Sequence, residues 1–327
     1  MRASSIARPL LLLAAVGSPG ACGSRDDDRN DVLRVGHFPN VTHAHGVIGH
    51  HLTRAGKGWF EERLGPGIRV EWLVFDAGPS AMESLLTGSI DLAYVGPNPA
   101  LNAHIRSRGE EVRVVAGATR GGAGLVVQGD GRIGGPRDFK GRRVGTPQFG
   151  NTQDVACRVW LLDQGFRVTQ TGGDVLVVPT SNPDQLPLFR ERELDAVWTV
   201  EPWLSRLELD AGGRLYVEET EAVTTVLVAR TRFLARRRDL ARRFVAAHAE
   251  LTEWIRGHPA EAKEALRAEL LEETRSPLPE RLLDHAWLRL VFDAEVPLAA
   301  FQEFQRSAVR TGFLQREFPL DRFVEEP

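Results

Sequence analysis

The chain has 327 residues, 42% of them hydrophobic, and this length allows two units that each bury a core. Its 41 Lys and Arg residues nearly balance its 44 Asp and Glu residues, so the formal net charge is only -3. This balance argues against a partner such as nucleic acid or an anionic membrane surface, which a basic patch would bind.

The first 22 residues have the pattern of an export signal. Arg2 and Arg8 give a positive start, and the apolar run over residues 10–16 is too short to span a bilayer. The segment ends in Gly-Ala-Cys, which resembles a bacterial lipobox although Pro19 departs from its usual pattern. We therefore expect lipidation of Cys22, with simple cleavage as the alternative, and a polar tether over residues 23–31.

From residue 32 onward, short apolar runs alternate with helical patterns, which indicates an α/β domain with a mainly parallel sheet. Residues 232–316 are predicted to be mostly helical. Cys157 is predicted to be a small buried residue without a disulfide. The predicted strands cover residues 33–37, 68–75, 92–95, 112–116, 124–128, 143–145, 175–178, 196–199 and 223–229.

Two segments share a pattern: MESLLTGSIDLAYVGPNPAL (residues 82–101) and QLPLFRERELDAVWTVEPWL (residues 185–204). Each runs from a helix to an aspartate, an apolar strand and a proline-containing loop, and Asp91 aligns with Asp195. Either the chain has two similar lobes, or helix-to-strand joints in α/β proteins simply look alike. Two such lobes would face each other across a cleft, where open α/β sheets bind ligands.

Three helix starts directly follow predicted strands, in DAGPSAMESLL, VGPNPALNAHI and FGNTQDVACRVWLL. The first turn of a helix has free N–H groups and a partial positive charge, which suit an anionic oxygen. Capping alone explains each start, but three at the same end of their strands favour an anion site. The residues at these starts are Gly78 and Pro79, then Pro97 and Asn98, then Asn151 and Thr152.

Four histidines follow the first strand: His43, His45, His50 and His51. No pair has the i,i+3 or i,i+4 spacing of helical zinc ligands, and no nearby Glu or Cys completes a set, so we predict no metal site. His43, beside Thr42, is either a donor to a ligand oxygen or an ordinary loop residue. His50 and His51 are predicted to lie on a solvated helix face.

The sequence has no G-x-S-x-G elbow and no phosphate-binding P-loop, which argues for binding without turnover. In TVEPWLSRL, Glu201 offers an acceptor and Trp203 a flat apolar wall. The alternative is a helix start with a buried indole.

Several segments, in order, resemble the solute-binding proteins of ABC importers for aliphatic sulfonates, taurine and nitrate. They include FPNVTHA, DAGPSAMESLLTGSIDLAYVGPNPALNA, VVAGATRGGAGLVV, RRVGTPQFGNTQDVA and DAVWTVEPW. The resemblance implies an α/β, two-lobed type II periplasmic-binding-protein fold with the ligand cleft between the lobes. Lobe one would cover residues 32–118 plus 222–327, and lobe two residues 119–221.

In that family an oxoanion sits in the cleft on helix N-termini and polar side chains. His45 and Arg120 differ from the residues usual at their positions; both are expected to border the cleft and to favour a second anionic group or a larger polar head on the ligand. The other matching positions are Asn40, Thr42, His43, Gly78, Pro79, Ser80, Pro97, Asn98, Gln148, Asn151, Thr152, Glu201 and Trp203.

The resemblance implies a monomeric receptor, in the periplasm or anchored on the outer face of the cell membrane. It would capture a small sulfonate- or taurine-like anion and deliver it to an ABC permease, without a cofactor. One alternative is an enzyme on the same scaffold, of the desulfinase or thiamine-pyrimidine type, which needs a reactive cysteine or a cofactor-linked lysine and histidine. Another is a receptor for metal, nitrate or bicarbonate.

Overall fold

A computed structural model describes residues 31–296 and 298–327, so the predicted export signal, Cys22 and nearly all of the tether lie outside the described residues. The helices are α1 (Ala44–Arg54), α2 (Trp59–Leu64), α3 (Gly78–Thr87), α4 (Pro97–Arg106), α5 (Thr152–Asp163), α6 (Asn182–Arg190), α7 (Trp203–Ala211), α8 (Thr231–Arg236), α9 (Arg238–Gly257), α10 (Pro259–Thr274), α11 (Glu280–Trp287) and α12 (Leu298–Arg310). Within the described ranges, no helix combines the length and apolar character needed to cross a bilayer.

The strands include all those predicted, with ends shifted by a few residues, and add β7, β8, β11 and β13. They are β1 (Val32–His37), β2 (Arg69–Val74), β3 (Leu92–Val95), β4 (Val112–Gly121), β5 (Ala123–Val127), β6 (Arg143–Thr146), β7 (Val168–Thr169), β8 (Gly172–Gly173), β9 (Leu176–Pro179), β10 (Ala196–Val200), β11 (Arg214–Glu219), β12 (Val223–Arg230) and β13 (Leu290–Phe292).

The main strands form two mixed sheets, with orders β13-β4-β12-β3-β1-β2 and β11-β5-β10-β6-β9. Parallel pairs join β2-β1-β3 and β10-β6-β9, whereas β3-β12-β4-β13 and β10-β5-β11 are antiparallel. The prediction of a mainly parallel sheet is therefore wrong. The chain leaves the six-stranded sheet through β4 and β5 and returns through β11 and β12. The outgoing and returning strands run in opposite directions, so β4 pairs antiparallel with β12, and β5 with β11.

The chain passes from the six-stranded to the five-stranded sheet at Gly122 and returns between Glu219 and Val223. We call the six-stranded sheet with α1–α4 and α8–α12 the first lobe, and the five-stranded sheet with α5–α7 the second lobe. The predicted lobe limits at residues 118 and 221 lie beside these crossings and stay predictions.

Each sheet is covered by apolar side chains on both faces. In β3, Leu92 and Tyr94 belong to one buried cluster of the first lobe, while Ala93 and Val95 belong to the other. This alternation follows from the two-residue period of a strand. The second lobe has the same two-sided packing, with Cys157 as a free buried thiol in one of its clusters.

The repeated sequence pattern corresponds to the same local structure in both lobes. The Asp91 carboxylate accepts the backbone N–H of Arg34, and the Asp195 carboxylate accepts that of Arg143, at 3.0 and 2.9 Å. In both cases the aspartate N–H donates back to the carbonyl oxygen of the same arginine, at 2.9 Å. Each aspartate thus fixes a strand beside its parallel neighbour, which favours two similar lobes over coincidence.

His248 is a buried polar residue of α9 inside the first lobe. Its Nε2 donates to the carbonyl oxygen of Gly117 at 2.8 Å, so its Nδ1 accepts the hydroxyl of Tyr94 at 3.0 Å. This pattern requires a neutral ring, and burial lowers the pKa of His248 to about 4.

We expect the free energy of unfolding to fall as the pH is lowered from about 6.5 to about 4, because unfolded histidine takes up a proton that folded His248 does not. One such group contributes a slope of up to about 1.4 kcal/mol per pH unit. Urea unfolding at pH 7, 6 and 5 measures this slope, which His248→Gln should reduce. The exposed His258, changed to Gln, should leave it unaltered; equal slopes for both variants would contradict the assignment.

Candidate functional site

A cavity of about 840 Å³ lies between the two lobes, at the ends of the strands where several helices begin. Both lobes contribute to its wall, so the cavity occupies the cleft that the fold predicts. Its polar lining residues include Asn40, Thr42, His43, Asp76, Glu273 and Thr274 from the first lobe, and Gln148, Asn151, Thr152, Gln153, Ser181, Asn182 and Arg206 from the second.

Eight of the predicted site residues line this cavity. The turns at Gly78 and Asn151, one from each lobe, both line it. Whether these residues contact a solute stays a prediction. The eight are Asn40, Thr42, His43, Gly78, Gln148, Asn151, Thr152 and Trp203.

Pro79, Ser80, Pro97 and Asn98 belong to the helix starts at the wall but are not among the lining residues. The N–H of Asn98 donates to Thr152 Oγ1 at 3.3 Å, and the prolines of α4 have no N–H. The first turn of α4 is therefore a poor source of donors for an anion. Its role in the structure is to hold α4 against the start of α5.

His45, Arg120 and Glu201 do not line the cavity, so the expectation that His45 and Arg120 border it is wrong. His45 lies two residues beyond His43, and its ring faces the core, where Nε2 is 2.9 Å from Thr252 Oγ1. Arg120 makes ion pairs with Glu221 and Asp293 at 2.8 and 2.9 Å. The His45 ring and the Arg120 guanidinium therefore contact other side chains of the protein and do not reach the cavity.

Glu201 is fully buried behind the cavity wall. Its Oε1 lies 2.9 Å from Arg289 Nη1 and accepts the hydroxyl of Ser205 at 2.8 Å. Burial raises the pKa of Glu201, against the opposing effect of Arg289. We therefore assign this carboxylate to the support of the wall rather than to solute binding.

The turn before α5 is held at the cavity by one buried carboxylate, that of Asp154. Asp154 accepts the N–H of Gly150 and the hydroxyl of Thr146 at 2.9 and 2.8 Å, and it pairs with Arg158 at 3.0 Å. Of the two residues at this helix start, Asn151 and not Thr152 caps the helix, because its Oδ1 accepts the N–H of Asp154 at 2.9 Å. This positions the positive end of α5 at the cleft.

The start of α3 requires glycine because the neighbouring helix is so close. A Cβ atom at Gly78 would lie 2.4 Å from Cγ of Pro99. The residue before the helix, Ala77, has no side-chain cap. The first turn of α3 thus reaches the cavity with its positive end free of a competing side-chain acceptor.

Arg206 is the cation that the sequence prediction missed. It is the one Arg or Lys among the described residues that line the cavity. Its Nε is buried without a hydrogen-bond partner, and its guanidinium lies 5.3 Å from the ring of Trp203. Burial lowers the pKa of Arg206, but a guanidinium stays protonated in proteins.

His43 also presents an unpaired atom. The ring is buried against Phe38, with 4.3 Å between ring centroids, and its Nδ1 has no partner. Burial lowers the pKa of His43 to about 3, so the ring is neutral near pH 7. A neutral imidazole offers a hydrogen bond but no charge.

A hydrogen bond at the cavity also joins the two lobes: Trp203 Nε1 donates to Asn40 Oδ1 at 3.2 Å. Both residues were predicted to belong to the site. The contact closes one side of the cleft, and the Trp203 ring supplies the flat wall expected from the sequence.

The prediction that His50 lies on a solvated helix face is wrong. Its side chain is only 15% exposed and contacts His37 and Glu273. Glu273, on α10, lies far away in the sequence, so no local spacing could indicate this set. These are the residues, in the described part of the chain, whose ligand-type atoms lie close enough together to hold a metal ion.

Comparison with known proteins places these features in a family. A model described as the NMT1-like family matches residues 26–271. A candidate aliphatic sulfonates-binding protein of Bacillus subtilis (strain 168) is 25% identical over 261 residues, which are 77% of this chain and 73% of that protein.

Two solved structures share the fold at low sequence identity. The alkanesulfonate-binding protein SsuA of Xanthomonas axonopodis pv. citri, bound to MOPS, has a TM-score of 0.69 and 20% identity, covering 90% of this chain and 96% of that one. The periplasmic nitrate-binding protein NrtA of Synechocystis PCC 6803 has a TM-score of 0.70 and 14% identity, covering 87% and 82%. The fold is thus that of two-lobed periplasmic binding proteins. Because the family model spans most of its length, the chain belongs to the NMT1-like family.

Proposed function

We propose that the protein is the extracytoplasmic solute-binding receptor of an ABC importer. It captures a small organic oxoanion of the sulfonate or taurine class in the cleft and delivers it to a membrane permease. The observation that carries this proposal is Arg206, a cation in the cavity wall whose buried Nε lacks a partner.

An anion in the cleft would satisfy several groups at once. The buried Nε of Arg206 has no hydrogen-bond partner and can donate to a solute, while Asp210, the acid that acts on its charge, lies one turn along α7. The positive ends of α3 and α5 face the same space from opposite lobes. A solute held by both lobes favours their closed arrangement over an open one, and fixed donors keep the ordering cost of binding low.

The relatives and the sequence support the partner and the location. The Bacillus and Xanthomonas proteins are named for sulfonates, and the Synechocystis protein is periplasmic. The export-signal pattern of the first 22 residues agrees with a place outside the cytoplasm. We extend the proposal to a lipid anchor at Cys22 and to a monomer that docks on the permease.

Binding without turnover is favoured over an enzyme on this scaffold. Cys157 is buried in the second lobe, away from the cavity, and burial raises the pKa of its thiol. The cavity lining, as far as the structure describes it, contains no lysine. A reactive thiol or a cofactor-linked lysine therefore has no counterpart in the cleft.

Calorimetric titration with methanesulfonate, butanesulfonate, taurine, nitrate and bicarbonate tests the proposal. We expect saturable heat at one solute per chain for at least one sulfonate. We also expect Arg206→Gln to weaken that binding about 100-fold, about 2.7 kcal/mol, because a buried charge-assisted contact is lost.

The matched control is Arg120→Gln, since Arg120 has its own carboxylate partners outside the cavity. This variant should bind the solute within about twofold of the unchanged protein. No heat with any of the anions would overturn the receptor proposal, and equal losses in the two variants would remove Arg206 from the site.

A further inference from the structure

Three side chains of the first lobe bring ligand-type atoms to one point. His37 ends β1, His50 lies on α1 and Glu273 lies on α10. His37 Nε2 is 3.1 Å from His50 Nδ1 and 3.2 Å from Glu273 Oε1, and His50 Nδ1 is 2.9 Å from the same oxygen. The side chains of His37 and Glu273 are 0% and 2% exposed, so water does not separate them.

One buried oxygen of this cluster has no hydrogen-bond partner. His37 Nδ1 lies 3.3 Å from the carbonyl oxygen of Phe38, which can only accept, so Nδ1 carries a proton. His37 Nε2 faces Glu273 Oε1. The other carboxylate oxygen, Oε2, is buried without a partner. A buried polar atom without a partner indicates a group that the cluster can still accept, and a cation suits a carboxylate oxygen.

The spacing fits a coordination centre. With metal–ligand bonds of about 2.1 Å, adjacent ligand atoms lie about 3.0 Å apart in octahedral and about 3.4 Å apart in tetrahedral geometry. The three separations here, 2.9, 3.1 and 3.2 Å, fall in or beside this range. The Phe38 carbonyl orients His37 as a partner in the second shell of a metal does.

We propose that His37 Nε2, His50 Nδ1 and the Glu273 carboxylate bind a divalent first-row transition-metal ion such as Zn²⁺. Two imidazoles and one carboxylate are donors that such ions accept, whereas Ca²⁺ and Mg²⁺ prefer oxygen alone. Glu273 also lines the cavity, so the ion lies at the wall of the solute site.

Binding at His50 Nδ1 has one structural consequence. Arg54 Nη2 lies 3.1 Å from His50 Nε2 and can only donate to it. A ring that gives Nδ1 to the metal carries its proton on Nε2, so Arg54 must release this contact. Arg54 keeps its ion pair with Glu269, at 2.8 Å, and its side chain is 49% exposed.

Titration of chelator-treated full-length protein with ZnCl₂, followed by calorimetry, tests the proposal without any solute present. We expect one ion per chain, and with CoCl₂ a visible absorption band whose intensity reports the coordination number. Glu273→Gln and His50→Ala should each weaken Zn²⁺ binding at least 100-fold. The control His51→Ala, on the same helix but outside the triangle, should bind within about threefold.

A thermal measurement guards against variants that fail to fold. Saturating Zn²⁺ should raise the Tm of the unchanged protein and of His51→Ala but not that of Glu273→Gln, because only binding to the folded state stabilises it. Absence of saturable binding, or equal affinity in Glu273→Gln and His51→Ala, would overturn the metal site. Neither result bears on the sulfonate titration, so the two proposals fail separately.

Discussion

Replacing Arg289 with methionine is expected to lower the free energy of unfolding at pH 7 by about 3–5 kcal/mol, the cost of leaving a buried charge without its partner. Arg289 Nη1 lies 2.9 Å from the fully buried Glu201 and 2.8 Å from Glu208, and its Nε lies 3.4 Å from Glu218. These three acids belong to the second lobe, whereas Arg289 follows α11 of the first. The variant therefore loses both a charge pair and a link between the lobes.

The effect should depend on pH with a defined sign. Burial already raises the pKa of Glu201, and loss of Arg289 raises it further. An acid whose folded pKa is raised holds its proton in the folded state, so the variant loses stability as the pH rises above the unfolded value of about 4.3. Urea unfolding should show a smaller difference from the unchanged protein at pH 4.5 than at pH 7.

The matched control for this experiment is Arg306→Met. Arg306 makes an exposed pair with Glu303 one turn away on α12, at 2.6 Å. Such surface pairs contribute at most about 1 kcal/mol. A loss in Arg289→Met no larger than in this control would show that the buried cluster does not hold the lobes.

Much of the fold could be predicted because its strands are short apolar runs between helical patterns. The internal repeat was informative for a physical reason: the Asp91 and Asp195 carboxylates accept the same kind of backbone hydrogen bond at equivalent strands. The edge strand β11 was missed because it is half-exposed and half of its residues are charged, and β13 was missed because it is only three residues long. Their pairing depends on where the chain crosses between lobes, which no local pattern records.

The candidate site could be predicted where it depends on helix starts and not where it depends on distant side chains. Gly78 and Asn151 reached the cavity because each directly follows a strand end. Arg206 and Glu273 were missed because they sit within ordinary helical patterns and meet the cavity only through tertiary packing. His45 was misplaced because two residues along a helix turn the side chain about 200° away from the face of His43.

Asp154→Asn is expected to lower the free energy of unfolding by about 3–5 kcal/mol and to weaken solute binding as well. The change leaves Arg158, whose side chain is 2% exposed, without its carboxylate. It also sets an amide NH₂ against other donors, because Asp154 accepts from Gly150, Thr146 and Arg158 together. Urea unfolding and calorimetric titration on the same preparation measure the two losses.

The matched control for this experiment is Asp163→Asn, at the other end of α5. Asp163 forms an exposed pair with Arg310, so its loss should cost no more than about 1 kcal/mol and leave solute affinity unchanged. If binding depends on the turn at Gly150 and Asn151, then affinity must fall in Asp154→Asn even at temperatures where the variant is fully folded. An Asp154→Asn protein that is less stable but binds the sulfonate normally would show that the start of α5 supports the lobe and does not hold the anion.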